Sequence, residues 1–221
     1  MALISIPTNE KATTLQNLIF RHSKILFGRV ANAVRVGSHS PKLMQILFGF
    51  IVSSLREEIT ENLSVKTKCL VILKTSTLNG CDYWTGHNET LGRALNFSED
   101  LIEAVSGDYM NSKIFTDEEK AAIRWAEVMT KKLYQGSPEN PPQHHEAINN
   151  LKKYYNESQI VELSFVSGFF NFWNRFTDVL EIDIEQGSLM TSFSKSTKIN
   201  PKEFNAYMLD CWWNNELNKN W

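Results

Sequence analysis

The residues best equipped for chemistry in this chain lie in one short segment, Asn79-Gly-Cys-Asp-Tyr-Trp-Thr-Gly-His-Asn88. Asn79-Gly80 favours a turn or a helix C-cap, so Cys81 falls where one helix hands over to the next. Unpaired N–H groups at a helix start favour negative charge, and a thiolate there is stabilised. The expected pKa of Cys81 is therefore below the free-thiol value of about 8.5. His87 lies six residues further on, nearly two turns along the helix and about 120° round from Cys81. From there it reaches the same pocket without standing directly above the sulfur, while Asn88 points almost along the Cys81 direction. A thiol with a nearby imidazole is the minimum arrangement for an activated sulfur nucleophile. The same residues admit a plainer reading, with Cys81 a small buried hydrophobe among Tyr83 and Trp84 and His87 an ordinary core or surface histidine.

The elements that must position these groups read as helices with start and stop residues. Ser40-Pro41 places a cap and an N1 proline ahead of Leu43 to Leu55. Ser64 opens an apolar-periodic stretch through Leu70, Val71, Leu73 and Leu78, which Asn79-Gly80 ends. A following helix runs from about Cys81 to Leu95. Ser98 caps a short helix through Leu101, Ile102 and Val105, and Thr116-Asp-Glu-Glu119 is a capping box before Ile123 and Met129. Gly136 to Pro142 is a loop, Gln143 to Tyr155 resumes as a helix, and Glu157 to about Leu180 is the most apolar helix after it. Asn200-Pro201 starts a last helix, leading into Phe204 to Leu217. No run of alternating residues is bounded by hairpin turns, so the chain reads as all-α and as one domain over residues 1–221.

Composition sets the class. With 42% hydrophobic and 22% charged residues the chain has the balance of a soluble globular protein. The net charge of −2, with both signs interspersed, forms no basic stripe for nucleic acid. The most apolar stretch, Leu43–Leu55, is interrupted by Gln45, Ser53 and Ser54 and is too short for a bilayer. Apolar around most of its circumference, it reads as a helix buried in the core or against another subunit. Three cysteines make no disulfide scaffold, so a reducing, cytoplasmic setting is expected. His144-His145 has no cysteine or carboxylate partner at ligand spacing and reads as a surface pair, so no metal is expected and no cofactor either. Cys211-Trp-Trp213, with Trp221 at the chain end, reads as an aromatic helix that docks on the domain or on a neighbouring subunit.

The segment Leu78 to His87 resembles the motif of the carboxymuconolactone decarboxylase and alkylhydroperoxidase-D-like family. In that motif an Asn-Gly-like turn precedes Cys-x-x-Cys and a histidine follows. Gly28 to Val34 with His39 to Leu43 looks like the family's N-terminal helix pair. Leu91 to Ala94 with Phe97 to Glu103, then Phe115 to Lys120 and Asn171 to Phe176, look like its later landmarks. The likeness covers residues 20–185 in order, leaving 186–221 as a C-terminal extension. It implies an all-α, alkylhydroperoxidase-D-like, oligomeric protein. In active members, as the resemblance implies, the second cysteine attacks peroxide, the first resolves it, and a glutamate and a histidine move protons. Cys81 matches the first cysteine, whereas Trp84 stands where the second belongs. Cys69 occupies the position of the relay glutamate, and Asn88 that of the usual histidine, with His87 one place early. An indole forms neither a sulfenate nor a disulfide. A Cys69–Cys81 pair replacing the lost motif would need the Asn79-Gly80 break to fold together residues about 18 Å apart on one straight helix.

Three functions follow from the resemblance. The first is a thiol-dependent antioxidant protein of peroxiredoxin type with reduced or lost activity, taking peroxide and a dithiol reductant protein, with Cys81, His87 and Cys69 as its catalytic residues. The second is a decarboxylase-like acid–base enzyme acting on a small lactone through His87. The third is a non-enzymatic descendant in which Tyr83, Trp84, Asn88 and Trp173 line or fill the old pocket. In each the small molecule is the partner, and nucleic acid and membrane are not.

Overall fold

The computed structural model describes residues 2–187 and 197–217. Twelve α-helices and no strand occur among the described residues. In chain order they are α1 (Thr14–Phe27), α2 (Asn32–Gly37), α3 (Pro41–Leu55), α4 (Glu57–Thr60), α5 (Val65–Asn79) and α6 (Asp82–Ala94). They continue with α7 (Glu99–Ser106), α8 (Asp117–Thr130), α9 (His144–Leu151), α10 (Glu157–Val179), α11 (Pro201–Asp210) and α12 (Trp212–Leu217). The chain divides into two compact units, Met1–Thr60 with Leu180–Trp221, and Glu61–Val179.

In the unit formed by the two chain ends, α1 opens with a capping box that the sequence reading passed over. Thr13 Oγ1 accepts from the Gln16 N–H, and the Gln16 side chain accepts from the Thr13 N–H. Gly28, at φ 73°, closes the helix. The start of α3 at Ser40-Pro41 falls as expected, although the Ser40 side chain makes no capping hydrogen bond. Its burial within this chain is one-sided. Met44, Phe48, Ile51, Val52 and Leu55 are buried, while Leu43, Ile46 and Phe50 are exposed. The last helix expected from the sequence is two, because the backbone turns extended at Cys211 (φ −64°, ψ 152°). The aromatic end docks on α3: the Trp212 N–H donates to Gln45 Oε1 at 2.9 Å and its indole N–H to the Lys42 carbonyl at 3.1 Å. Trp221 lies outside the described residues.

In the unit Glu61–Val179, α5 is the central element and packs against α6, α7, α8 and α10. Nine consecutive residues, Lys68 to Ser76, are buried, so this helix has no solvent face over more than two turns. The Ser64 Oγ caps it by accepting from the Thr67 N–H at 3.1 Å, and Gly80 ends it at φ 68°. Ser98 caps α7 and the Thr116–Glu119 box caps α8, as their sequences require. Helix α9 stops at Leu151, short of the expected Tyr155. A reciprocal pair then starts α10, with Asn156 Oδ1 accepting from the Gln159 N–H and Gln159 Oε1 from the Asn156 N–H, each at 3.0 Å. Helices α5 and α10 meet along polar as well as apolar positions. Thr75 bonds Ser167 at 3.1 Å, Ser76 donates to Asn174 Oδ1 at 3.4 Å, and Asn79 donates to Asn171 Oδ1 at 3.2 Å. These bonds fix the register of α10 against the end of α5, and so hold α10 beside Cys81.

Candidate functional site

Cys81 is the N-cap of α6, the position its sequence indicated, and it is fully buried. Its thiol meets α10 rather than His87. Sγ lies 3.4 Å from Thr177 Oγ1 and 4.0 Å from the Asn174 carbonyl. The Thr177 hydroxyl already donates to the Asn174 carbonyl at 2.9 Å and the Trp173 carbonyl at 3.2 Å. Burial pushes the Cys81 thiol up to about 12; the Thr177 hydroxyl and the Trp84 N–H oppose this, and Asp178 adds to it. The expectation of an acidic thiol is thus corrected. The helix start acts in the expected direction, but loss of water around the sulfur outweighs it.

Cys69 is also fully buried, and burial alone raises its thiol far above the ordinary range. Its Sγ donates to the Asn88 carbonyl at 3.4 Å. Cys69 thus faces α6 while Cys81 faces α10, and both are free thiols. The Cys69–Cys81 pair considered from the sequence is not formed. Cys211, outside this unit, is likewise buried and unpaired, its thiol raised to about 11.

Trp84 is only 5% exposed and sits in an aromatic cluster built by α6 and α10. Its ring meets Phe170 edge-on at 5.3 Å and lies 6.1 Å from Trp173. His87, 1% exposed, lies 4.5 Å from the Tyr83 ring and 5.3 Å from the Trp84 ring. Trp173 continues the cluster by stacking on Phe176 at 4.7 Å with the planes 5° apart. Tyr83, Trp84, His87 and Trp173 therefore come together, whereas Cys69 and Cys81 bond to separate neighbours. Asn88 is buried beside them, its Nδ2 donating to the Trp84 carbonyl at 2.9 Å.

Trp84 Nε1, Trp173 Nε1, Asn174 Nδ2 and Asn88 Oδ1 are buried polar atoms of this region with no hydrogen-bond partner among the described residues. Buried donors and acceptors are ordinarily paired with protein, water or ligand, so three donors and one acceptor in one aromatic neighbourhood are a chemical signature. Asn174 and Thr177 were missed from sequence because they lie some 93 to 96 positions from Cys81. Their signal was the row of small polar residues on the otherwise apolar α10. No group of three or more His, Cys, Asp or Glu placed to hold a metal occurs among the described residues. None of their helices is long and apolar enough to cross a membrane. His144 and His145 pack on one another, with ring centroids 4.1 Å apart, at the start of α9.

No family model and no curated protein matches this sequence. Solved structures do. The debrominase Bmp8, as a cysteine-to-alanine variant in complex with 2,3,4-tribromopyrrole, aligns with TM-score 0.69 at 17% identity, over 92% of this chain and 98% of its own. An uncharacterized peroxidase-related protein from Silicibacter sp. TM1040 aligns with TM-score 0.70 at 16% identity, over 87% and 95%. An alkylhydroperoxidase AhpD core protein from Ralstonia eutropha JMP134 gives 0.69 at 13% identity, over 87% and 96%. At such identities the likeness carries the fold, and the expectation drawn from residues 20–185 is borne out at that level. The chain has the all-α fold of the alkylhydroperoxidase-D-like proteins.

Proposed function

We propose that this chain is a divergent peroxiredoxin-type protein of that fold whose thiol turnover of peroxide is lost or strongly reduced. Its aromatic cluster on α6 and α10 then serves to bind a small planar molecule. The observation that supports this is Trp84, packed against Phe170 in the position where the peroxide-attacking cysteine would stand. The sulfur that is retained, Cys81, is buried, protonated at neutral pH and bonded to a hydroxyl rather than an imidazole. The unpaired N–H groups of Trp84, Trp173 and Asn174 suit an acceptor-bearing ligand held between rings.

One experiment has two arms. Native protein should leave its three thiols unlabelled at neutral pH, release all three in denaturant, and consume hydroperoxide with a dithiol reductant no faster than a Cys81→Ser variant. Its tryptophan emission should respond to 2,3,4-tribromopyrrole, used as a first aromatic probe, and Trp173→Phe should weaken that response. A second reading, a one-thiol enzyme, draws on the placement of Cys81 at the start of α6. Rapid native labelling of Cys81, with turnover lost in Cys81→Ser, would establish that reading in place of the first.

A further inference from the structure

Helix α10 turns one face into the site and presents another to solvent. Val161, Phe165, Gly168, Phe172, Arg175 and Val179 are all exposed and follow one another at alternating spacings of four and three residues. That alternation averages 3.5 residues, the repeat that keeps one seam of a helix against a partner helix. Val161 is 53% exposed, Phe165 60%, Phe172 47% and Val179 69%. The two phenylalanines alone offer on the order of 200 Å², about a quarter of the roughly 800 Å² that each partner gives to a standard interface. Both valines lengthen the strip.

Gly168 stands at the middle of this seam, between Phe165 and Phe172. Glycine is a poor helix former, so its place inside a 23-residue helix calls for a reason. The interior supplies none: a Cβ there would meet only Met129 Cε, at an ordinary 3.8 Å. What glycine provides at an exposed seam is room for another backbone to approach. Charge then selects the orientation. Exposed Glu157 begins α10 and exposed Arg175 lies near its end. Two copies crossing antiparallel at Gly168 set Arg175 opposite Val161 of the other copy, one turn from its Glu157. The helix dipoles also oppose one another in that arrangement.

We infer that the outer face of α10 is a self-association surface, on which a second copy of this chain packs its own α10 antiparallel about Gly168. The test is sedimentation or light scattering of the full chain at micromolar concentration, with helix content followed by circular dichroism. The wild type should be at least a dimer. Phe165→Glu should shift it to monomer with helix content unchanged, and Phe165→Ser serves if the glutamate variant misfolds. Gly168→Leu should weaken association at least tenfold by filling the crossing. Arg175→Glu should also weaken it, and Glu157→Lys combined with Arg175→Glu should restore it, a rescue that a role within one chain would not give. A monomeric wild type would overturn the inference, as would an assembly indifferent to all of these substitutions. Failure of the charge swap to rescue would overturn the antiparallel crossing.

Discussion

At Cys81 a helix start and a buried site act in opposite directions. A helix terminus contributes about 0.3–1 kcal/mol at an exposed position, less than the roughly 1.4 kcal/mol that corresponds to one pKa unit. Removal of water around the sulfur is larger, and the thiol rises to about 12. The sign of the pH dependence follows. The unfolded chain releases this proton near pH 9 while the native chain keeps it, so the contribution of Cys81 is intact below about pH 9 and is lost as the pH rises toward 12. Urea denaturation of Cys81→Ala should accordingly show a flatter loss of stability than the wild type between pH 9 and 11; parallel curves would place the thiol outside the linkage. Trp84 can be tested by the reverse change. Trp84→Cys should cost about 3–5 kcal/mol through the cavity it leaves, and in return gives Cys81 a second thiol at the family spacing. Folded variant that forms the new disulfide and gains peroxide turnover would show that this one residue silenced the cycle. Folded variant with neither would locate the loss in the rest of the site, with Cys69 and Asn88 the first residues to examine.

Helix boundaries were legible because capping chemistry is local. Ser64, Ser98 and Thr116 each accept from the backbone N–H three residues on, and Gly80 takes the left-handed conformation that ends α5. Side-chain partners were not legible, because they are set by packing between distant helices. Lys68, 1% exposed, reaches Glu162 at 2.7 Å, and Lys74 donates to the Val105 carbonyl at 3.0 Å. Neither lysine differs in sequence from one on a solvated face. The break at Cys211 was hidden for a related reason, since Phe204 to Leu217 keeps a helical pattern while Trp212 is drawn onto α3. Helix α8 carries a testable case of such distant chemistry. Burial raises the Glu127 carboxyl, but hydrogen bonds from Lys131, Tyr109 and Arg124 outweigh it and hold the group down to about 2. A carboxylate with a lowered native pKa stabilises the fold above the unfolded value and loses that contribution as the pH falls. Glu127→Gln should therefore destabilise at neutral pH, and its deficit should shrink between about pH 4.5 and 2. A deficit independent of pH would mean that its packing, not its charge, is what the fold uses. Thr116→Ala, which removes a cap, should cost about 1 kcal/mol at neutral pH.

For the whole molecule, the all-α class was readable from helical periodicity and the absence of strand alternation, and the order of landmarks over residues 20–185 led to the fold. The activity was not readable in the same way, because the landmarks are mostly caps and core positions, which carry no chemistry. The division of the chain was also invisible in composition, for no Pro- or Gly-rich linker marks either boundary. It matters because one unit, Glu61–Val179, is a single uninterrupted segment, whereas the other is assembled from both chain ends. The uninterrupted unit holds the whole proposed site, from Cys69, Cys81, Tyr83, Trp84, His87 and Asn88 to Phe170, Trp173, Asn174 and Thr177. It also holds α5, whose Lys68–Ser76 stretch is enclosed by helices of the same unit. A segment with its own enclosed core and few chain crossings is the kind that folds alone. Expressed by itself, residues 61–179 should be helical, melt cooperatively, and hide both of its thiols until denaturant is added, since Cys211 lies in the other unit. Immediate reaction of both thiols in buffer, or a melt without cooperativity, would show that the site depends on the chain ends for its order.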